Sequence, residues 1–453
     1  MPTAILLAAG KGSKMWPYAE VRPKPLIPVS NKPVISFLTD QLQSLGFDLI
    51  RIAVGNHYQQ YLNYFRNHSG IELIKVGETA GTAESLSRAW EGLKEDWVTV
   101  AYADSIVQTE DLVRLVNSER IAALVTPHKE SSRNFIGCTL QKDNIDQIIG
   151  HSREDTTHNF LAFKLSSEFK PYLSTANNLF PNVEVGMMVP EECFLEAALT
   201  DYMHDGNTIG AVSAQSPAFD IDKPWHILEA NTYYNKQICD SITKNDLDKD
   251  ASIDPAAHIE GYVRLGKNSR IGKNVVIEGN IWVGDNTEIK HGAILKGNNV
   301  IGNNCEIGYT CFIEEFSTVG DYSKILHAAE FSGILFKRVF LYHYMEIAGI
   351  VGENTDIGAG TICGSLRFDD GLAQQKVKGR KEHVTPQYLA NACYIGDYSR
   401  TGINSMLLPG IKTGTRSIVG AGVILQDDLQ DDSVIFVKQE TITKKWGIDR
   451  YGW

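Results

Sequence analysis

The chain has 453 residues, of which 43% are hydrophobic and 22% charged, a composition typical of a globular protein with two or three domains. Its net charge of −12 argues against nucleic acid or an anionic membrane surface as a partner, and no apolar run is long enough to predict a transmembrane helix. The seven cysteines include no C-x-x-C pair, which indicates reduced thiols, no zinc site and a cytoplasmic location.

Residues 1–239 alternate short apolar stretches with helical patterns. The first ten residues lack the basic segment and cleavage site of a signal peptide and are predicted to form a strand. The predicted buried strands are Leu6–Ala8, Ile50–Val54, Ile71–Ile74 and Val98–Ala101, and the predicted helices are Ile35–Leu45 and Ala83–Leu93. This alternation predicts an α/β, Rossmann-like domain whose ligands bind beyond the carboxyl ends of a mostly parallel sheet.

The loop after the first predicted strand combines glycines with basic residues. Ala8, Ala9, Gly10, Lys11, Gly12 and Lys14 follow one another there, and Lys24 stands between two prolines soon after. Charge alone would favour a solvated basic loop over an anion-binding site. Glycines, however, allow backbone N–H groups to approach an anion, and a positioned lysine suits a phosphate group. Together these features predict a phosphate-binding site.

The second half of the chain has a six-residue period. Aliphatic residues recur in one frame from Ile253 to Ile325, many of them followed by glycine, and the frame returns at Val351 and again at Ile395. This period predicts a left-handed parallel β-helix over 253–453, with 240–252 as a linker. The stretches 331–350 and 363–393 break the frame and are expected to stand off the β-helix.

The segment from Leu7 to Met15, followed by Pro23–Leu26, resembles the signature of sugar-1-phosphate nucleotidylyltransferases. The second half is similar to the β-helix of the bifunctional N-acetylglucosamine-1-phosphate uridylyltransferase/acetyltransferases, notably at Gly358–Ile362 and Leu408–Gly410. The resemblance covers nearly the whole chain. It implies that a sugar phosphate attacks the α-phosphorus of a nucleoside triphosphate, forming an NDP-sugar of the UDP-N-acetylglucosamine or UDP-glucose type and pyrophosphate.

The resemblance also implies roles for individual residues. Lys14 and Lys24 would be catalytic, with Ala8, Ala9, Gly10, Lys11, Gly12, Gly81 and Thr82 binding the nucleotide and Asn159 and Glu184 binding the sugar. Asp104 and Asp220 would hold Mg²⁺, and Asp222 remains an alternative to Asp220.

Some positions depart from the family pattern. Lys14 replaces an arginine, Val76 stands where a glutamine often reads a pyrimidine, and His151–Glu154 replaces a Glu-Lys pair. The base and the sugar are therefore less well determined than the type of reaction. A non-catalytic regulatory or scaffold subunit of the same fold is the competing interpretation, although the retained Lys24 and acidic residues favour an enzyme.

The β-helix raises two further expectations. Related β-helices form homotrimers, so we expect a trimer in which the off-frame segments contact neighbouring copies. Counting back from Gly358 places Tyr342 at the position of the family's acetyltransferase histidine, with His343 one residue later and Met345 in place of a tyrosine. Since a one-residue shift reverses the face of a strand, we expect acetyl transfer through His343 to be weak or lost. Ser365 also replaces an asparagine of the family pattern. Lys376 and Lys378 nearby could bind an anion such as a coenzyme phosphate or could be solvated charge.

Overall fold

The computed structural model describes residues 2–128, 136–150, 156–175, 193–445 and 447. A nine-stranded sheet forms the centre of the first half. Its strands are β1 Thr3–Ala8, β2 Leu49–Val54, β3 Ile71–Lys75, β4 Trp97–Tyr102, β5 Ala122–Pro127, β6 Ile136–Gln141, β7 Asn144–Gly150, β8 His158–Ser166 and β9 Gly210–Ser213. They lie in the order β3-β2-β1-β4-β8-β5-β9-β7-β6, and the first four are parallel. The predicted α/β domain and its four strands are therefore confirmed.

Helices cover both faces of this sheet. They are α1 Val34–Ser44, α2 Tyr58–Phe65, α3 Thr82–Trp90, α4 Thr109–Val116, α5 Lys170–Thr175, α6 Leu195–His204 and α7 Pro224–Asp240. The apolar stripe of α1 packs Ile35, Leu38 and Leu42 on one face, and α3 packs Leu86 and Trp90 on the other. Among the described residues, no helix combines the length and the apolar character needed to cross a membrane.

The second half is the predicted left-handed parallel β-helix. The first face contains Ser252–Ile253, Arg270–Ile271, Glu288–Ile289, Glu306–Ile307, Lys324–Ile325, Phe340–Leu341, Asp356–Ile357, Arg400–Thr401, Ile418–Val419 and Val434–Ile435. The other faces contain Asp246–Leu247, His258–Ile259, Val263–Leu265, Val276–Ile277, Ile281–Val283, Ile294–Leu295, Asn299–Ile301, Phe312–Ile313, Thr318–Val319, Glu330–Leu335, Glu346–Val351, Ile362–Cys363, Cys393–Ile395, Met406–Leu407, Lys412–Thr413 and Ile424–Leu425. From Leu265 to Ile325 every aliphatic residue of the six-residue frame is buried in one core. The first coil begins inside the segment 240–252, because Asp246–Leu247 pairs with Val263–Leu265.

The expectation that 331–350 stands off the β-helix is wrong. Successive coils are offset by eighteen residues before this stretch and by sixteen within it. Two faces join there into the single strands Glu330–Leu335 and Glu346–Val351, which pair residue by residue. The six-residue frame is lost because each coil here is two residues shorter at one corner. The β-helix itself continues through this stretch.

The stretch 363–393 does leave the β-helix. Between Cys363 and Cys393 the chain forms an insertion that contains the hairpin Gln375–Val377/Arg380–Glu382 and a short turn at Gln387–Leu389. Val377, Val384 and Ala390 of this insertion are buried in a cluster shared with residues of the first half. The insertion therefore packs on the first half of its own chain.

Helix α7 joins the two halves. It begins with a proline, which suits the first turn of a helix because that turn needs no N–H donor there. The Asn231 amide donates to the Phe316 carbonyl at 2.9 Å, and the Asn235 amide donates to the carbonyls of Phe316 and Ser317 at 2.9 and 3.1 Å. Buried amides on one side of α7 thus satisfy backbone acceptors of the β-helix.

Candidate active site

The glycine-rich loop and Asp104 lie side by side because they follow neighbouring strands. β1 pairs in parallel with β4, so the loops after both strands leave the same edge of the sheet. Gly12 has a φ of +65°, and a β-carbon built there would lie 3.1 Å from the Lys24 Cβ. The loop therefore packs directly against the segment that carries Lys24, in a conformation that favours glycine.

Two lysines and two carboxylates form one network in this region. The Lys24 ammonium lies 2.6 Å from Asp104 Oδ2 and 3.3 Å from Asp222 Oδ1, and the Lys14 ammonium lies 2.9 Å from Asp222 Oδ2. All four residues line a cavity of about 180 Å³, together with Gly10 and other residues of the loop. The structure thus brings together the predicted glycine loop, both predicted catalytic lysines and one predicted metal ligand.

A short antiparallel pair of strands brings the second acidic segment into the same region. Phe219–Asp220 pairs with Ser105–Ile106, and the Ile221 N–H donates to the Asp104 carbonyl at 3.0 Å. Asp222 follows this pair and lines the cavity, whereas Asp220 is not among the cavity's lining residues. Of the two alternatives left open by the sequence, Asp222 is the one that faces the cavity with Asp104.

Burial and charge shift the proton affinities of this cluster. Burial disfavours the charge on Lys24, but the surrounding carboxylates, Asp104 foremost, outweigh it and raise the pKa of the ammonium. Burial also acts against the Asp222 carboxylate, yet Lys24 and Lys14 hold its pKa below the usual range. For Asp220, burial prevails and raises the pKa of the carboxyl group. The cluster thus combines two cavity-facing carboxylates, which could ligate a divalent cation, with lysines that could bind phosphate.

His226 also lies in this cluster, although its sequence context gave no indication of a role. Its Nδ1 is 3.1 Å from the Asp222 backbone N and 2.8 Å from the Asp220 carbonyl oxygen. Burial, and then the charge of Lys223, lower the pKa of the imidazole to about 3. Depending on its tautomer, a neutral His226 either donates from Nδ1 to the Asp220 carbonyl or accepts the Asp222 N–H, and either hydrogen bond ties the ring to the acidic segment.

Other predicted nucleotide ligands lie outside this cavity. Lys11 is exposed, and neither it nor Ala9 is among the cavity's lining residues. Gly81 precedes α3, and a β-carbon there would lie 2.2 Å from the Cys193 carbonyl oxygen. The Thr82 hydroxyl accepts the Leu195 N–H at 2.8 Å. The loop that contains Gly81 and Thr82 is therefore held against the segment that enters α6.

Asn159, a predicted sugar ligand, is not among the residues that line the cavity. Asn159 lies in β8, where its side-chain oxygen is buried and has no hydrogen-bond partner among the described residues. An unpartnered buried acceptor is compatible with a donor from a ligand. Glu184 and the stretch His151–Glu154 lie outside the described residues.

Lys378 also lines the cavity, and the sequence did not predict this. It comes from the hairpin of the insertion, far along the chain from the glycine-rich loop. The sequence pointed to Lys376 and Lys378 only as possible contacts for a coenzyme phosphate or as solvated charge. The sequence around this hairpin contains no motif that would predict contact with the first half, because Lys378 reaches the cavity only through tertiary packing.

The predicted acyltransferase residues lie at a corner of the β-helix. The His343 ring stacks on His327 with ring centroids 4.1 Å apart, and His343 Nδ1 is buried with no hydrogen-bond partner in the described part of the chain. Tyr342 is exposed, and Met345 is buried in the β-helix core. This corner is separate from the cavity that contains Lys24.

Comparisons with known proteins match both halves of the chain. The MobA-like NTP transferase domain matches residues 4–184, and the GMPPB C-terminal domain matches residues 242–335. The chain is 31% identical over 456 residues to a protein of Methanococcus maripaludis named Bifunctional protein GlmU, covering 98% of this chain and 99% of the relative. A protein of the same name from Methanococcus vannielii is 29% identical over 453 residues, with 98% and 99% covered. The bifunctional sugar-1-phosphate nucleotidylyltransferase/acetyltransferase of Sulfurisphaera tokodaii is 24% identical, with 94% and 98% covered.

Proposed function

Because the chain belongs to the family of bifunctional GlmU proteins, we propose that its first half joins a sugar-1-phosphate to the nucleotidyl group of a nucleoside triphosphate. The products are an NDP-sugar, of the UDP-N-acetylglucosamine or UDP-glucose type, and pyrophosphate. One observation carries this proposal: Lys14, Lys24, Asp104 and Asp222 line one cavity beside the glycine-rich loop. A non-catalytic subunit is disfavoured because the charged groups that the reaction requires remain together.

The reaction brings two polyanions together, so its barrier is largely electrostatic. An oxygen of the sugar phosphate attacks the α-phosphorus as the bond to the leaving pyrophosphate breaks. Lys24, held between two carboxylates, offers a preorganised positive charge to the phosphate at the reacting centre. Lys14 and the backbone N–H groups of Gly10 and Gly12 would hold the triphosphate. Ala8, Ala9, Lys11, Gly81 and Thr82 remain proposed nucleotide contacts, and Asn159 and Glu184 remain proposed sugar contacts.

Nucleotidyltransferases of this family generally use a divalent metal ion, and we propose Mg²⁺ for this chain. Asp104 and Asp222 both face the cavity and supply the carboxylate oxygen ligands that Mg²⁺ prefers. Asp220 is the alternative ligand. When bound, the ion would neutralise phosphate charge and help to align the two reactants.

A screen for pyrophosphate release tests this function. The full-length protein is incubated with each nucleoside triphosphate and a set of sugar-1-phosphates, with MgCl₂ or with EDTA. We expect at least one pair to release pyrophosphate only when the metal is present. A folded protein that releases none with any pair would overturn the proposal.

Acetyl transfer by the β-helix is the second candidate function, supported by the name of the Sulfurisphaera relative. We propose that this activity is weak or lost. The His343 ring lies against His327, Met345 replaces the tyrosine of the family pattern, and Ser365 replaces its asparagine. The test offers acetyl-coenzyme A with glucosamine-1-phosphate and follows thiol release. Turnover as fast as the nucleotidyl reaction and abolished by His343→Ala would contradict this proposal.

We further propose a cytoplasmic homotrimer. All seven cysteines are free thiols, which fits a reducing compartment. The side chains of Leu366 and Phe368 in the insertion are highly exposed, which fits contact with another copy of the chain. Light scattering is expected to give three times the mass of the chain, and Phe368→Glu is expected to lower it. A monomer at micromolar concentration would contradict the trimer.

A further inference from the structure

The insertion of the β-helix extends to the nucleotide cavity of the first half. Its hairpin Gln375–Val377/Arg380–Glu382 turns at Lys378 and Gly379, with φ values of +48° and +76°. Lys378 lines the same cavity as Lys14, Lys24 and Asp222. A residue of the second half is therefore part of the wall around the proposed reaction centre.

Three contacts hold this hairpin in place. The Lys223 ammonium, which is fully buried, lies 2.7 Å from Glu382 Oε2, and Lys223 directly follows Asp222 in the chain. The Lys412 ammonium donates to the Lys376 carbonyl at 2.8 Å. Val377 is buried with Met15, Tyr18 and other residues of the first half. The turn is thus fixed on both sides, and Lys378 projects from a positioned element.

The Lys378 ammonium has different surroundings from the ammonium groups of Lys14 and Lys24. Lys14 and Lys24 both lie within 3.3 Å of carboxylates at the cavity wall. Lys378 is exposed, and none of the ion pairs among the described residues includes it. A lysine is a flexible point charge with three donors, so Lys378 can engage a phosphate without first breaking an ion pair.

We propose that Lys378 binds the pyrophosphate moiety in this cavity, both as the outer phosphates of the nucleoside triphosphate and as the leaving pyrophosphate. This inference rests on the proposed nucleotidylyltransferase function and adds a ligand from the second half of the chain. The insertion therefore completes the active site of the first half. A coenzyme phosphate is the alternative anion for Lys378, and it would have to occupy the same cavity.

The test compares three variants of the full-length protein. Lys378→Ala removes the charge, Lys378→Arg keeps it, and Lys381→Ala removes an exposed charge from the same hairpin that does not line the cavity. Calorimetry with pyrophosphate and MgCl₂ measures binding directly, and steady-state kinetics measure KM for the triphosphate. Losing one charge-assisted hydrogen bond should weaken pyrophosphate binding and raise KM by about 10- to 100-fold in Lys378→Ala. Lys378→Arg should keep most of the affinity, and Lys381→Ala should match the wild type.

Pyrophosphate binding and turnover together distinguish a wrong role for Lys378 from a wrong function for the protein. If the wild type turns over and Lys378→Ala equals it in both pyrophosphate affinity and KM, Lys378 has no role and the reaction remains. If the wild type binds pyrophosphate through Lys378 but no substrate pair turns over, the proposed function fails and the binding site remains. A wild type that does not bind pyrophosphate, or that binds acetyl-coenzyme A through Lys378 in preference, overturns the inference.

Discussion

At the residue scale, the buried Lys24 ammonium pairs with the carboxylates of Asp104 and Asp222, and Lys24 lines the proposed nucleotide cavity. Lys24→Ala removes a preorganised charge from the transition state, and we expect turnover to fall by about 10²–10³. Turnover measured at saturating concentrations of both substrates and the metal ion distinguishes a slower reaction from weaker substrate binding. Lys94→Ala, which removes an exposed charge elsewhere, is the control. Wild-type turnover in Lys24→Ala would show that the reaction centre lies elsewhere.

The two candidate metal ligands are distinguished by their response to Mg²⁺. Only Asp222 shares the cavity with Asp104, so Asp222→Asn should raise the Mg²⁺ concentration for half-maximal activity more than Asp220→Asn does. A titration of activity against Mg²⁺ for the wild type and both variants measures this difference. The reverse order would assign the metal to Asp220.

At the scale of elements, the shortened coils depend on two stacked glycines. Gly333 and Gly349 have φ values of +120° and +133°, and a β-carbon on Gly349 would lie 1.9 Å from the Cys393 carbonyl oxygen. Gly349→Ala combines backbone strain with a clash against a backbone atom, so we expect it to destabilise the β-helix by about 2–5 kcal/mol. Gly422→Ala is the matched control, because its φ is +68° and nothing lies within 4 Å of the added carbon. Thermal unfolding followed by circular dichroism should show the larger loss for Gly349→Ala.

The hairpin of the insertion is supported by a buried lysine whose charge is pH-dependent. Burial lowers the pKa of Lys412 to about 8, although Asp428 opposes this shift. Between about pH 8 and the ordinary lysine pKa of about 10.4, Lys412 is mostly protonated in the unfolded chain and mostly neutral in the folded one. The contribution of Lys412 to the free energy of unfolding therefore increases as the pH rises through that range. Lys412→Met lacks this effect. The difference in urea midpoint, wild type minus variant, should increase from pH 7.5 to pH 10, and a constant difference would refute the prediction.

At the scale of the whole molecule, buried ion pairs of Arg22 connect the two halves. Arg22 lies 2.5 Å from Asp397 Oδ1 and 3.2 Å from Glu353 Oε2 of the β-helix. Arg22→Met would leave the buried Asp397 without its countercharge, which costs about 3–5 kcal/mol. Adding Asp397→Asn should recover part of that loss, because the unpaired charge is then removed. Urea unfolding of both variants measures this recovery, and equal losses in the two variants would show that the unpaired Asp397 charge is not the cause of the loss.

Local patterns in the sequence predicted the α/β sheet, most of the β-helix and the proximity of the glycine loop, Lys24 and Asp104. Each coil of a β-helix packs only on its neighbours, so the six-residue frame by itself predicted the stack from Leu265 to Ile325. The glycine loop and Lys24 lie close together in the chain, and Asp104 ends the strand beside β1, so sheet topology alone predicted their meeting. The prediction for 331–350 was wrong because the coils shorten from eighteen to sixteen residues there. The six-residue period is then lost from the sequence, although the β-helix continues.

Tertiary structure alone decided which distant groups share the cavity. Asp220 and Asp222 are two residues apart and equally acidic, and only the pairing of Phe219–Asp220 with Ser105–Ile106 determines which carboxylate faces Lys24. Lys378 enters the same cavity because buried apolar residues and the Lys223–Glu382 ion pair hold its hairpin on the first half. Such contacts depend on side-chain shape and charge across elements far apart in the chain. They leave no period or motif in the sequence from which they can be inferred.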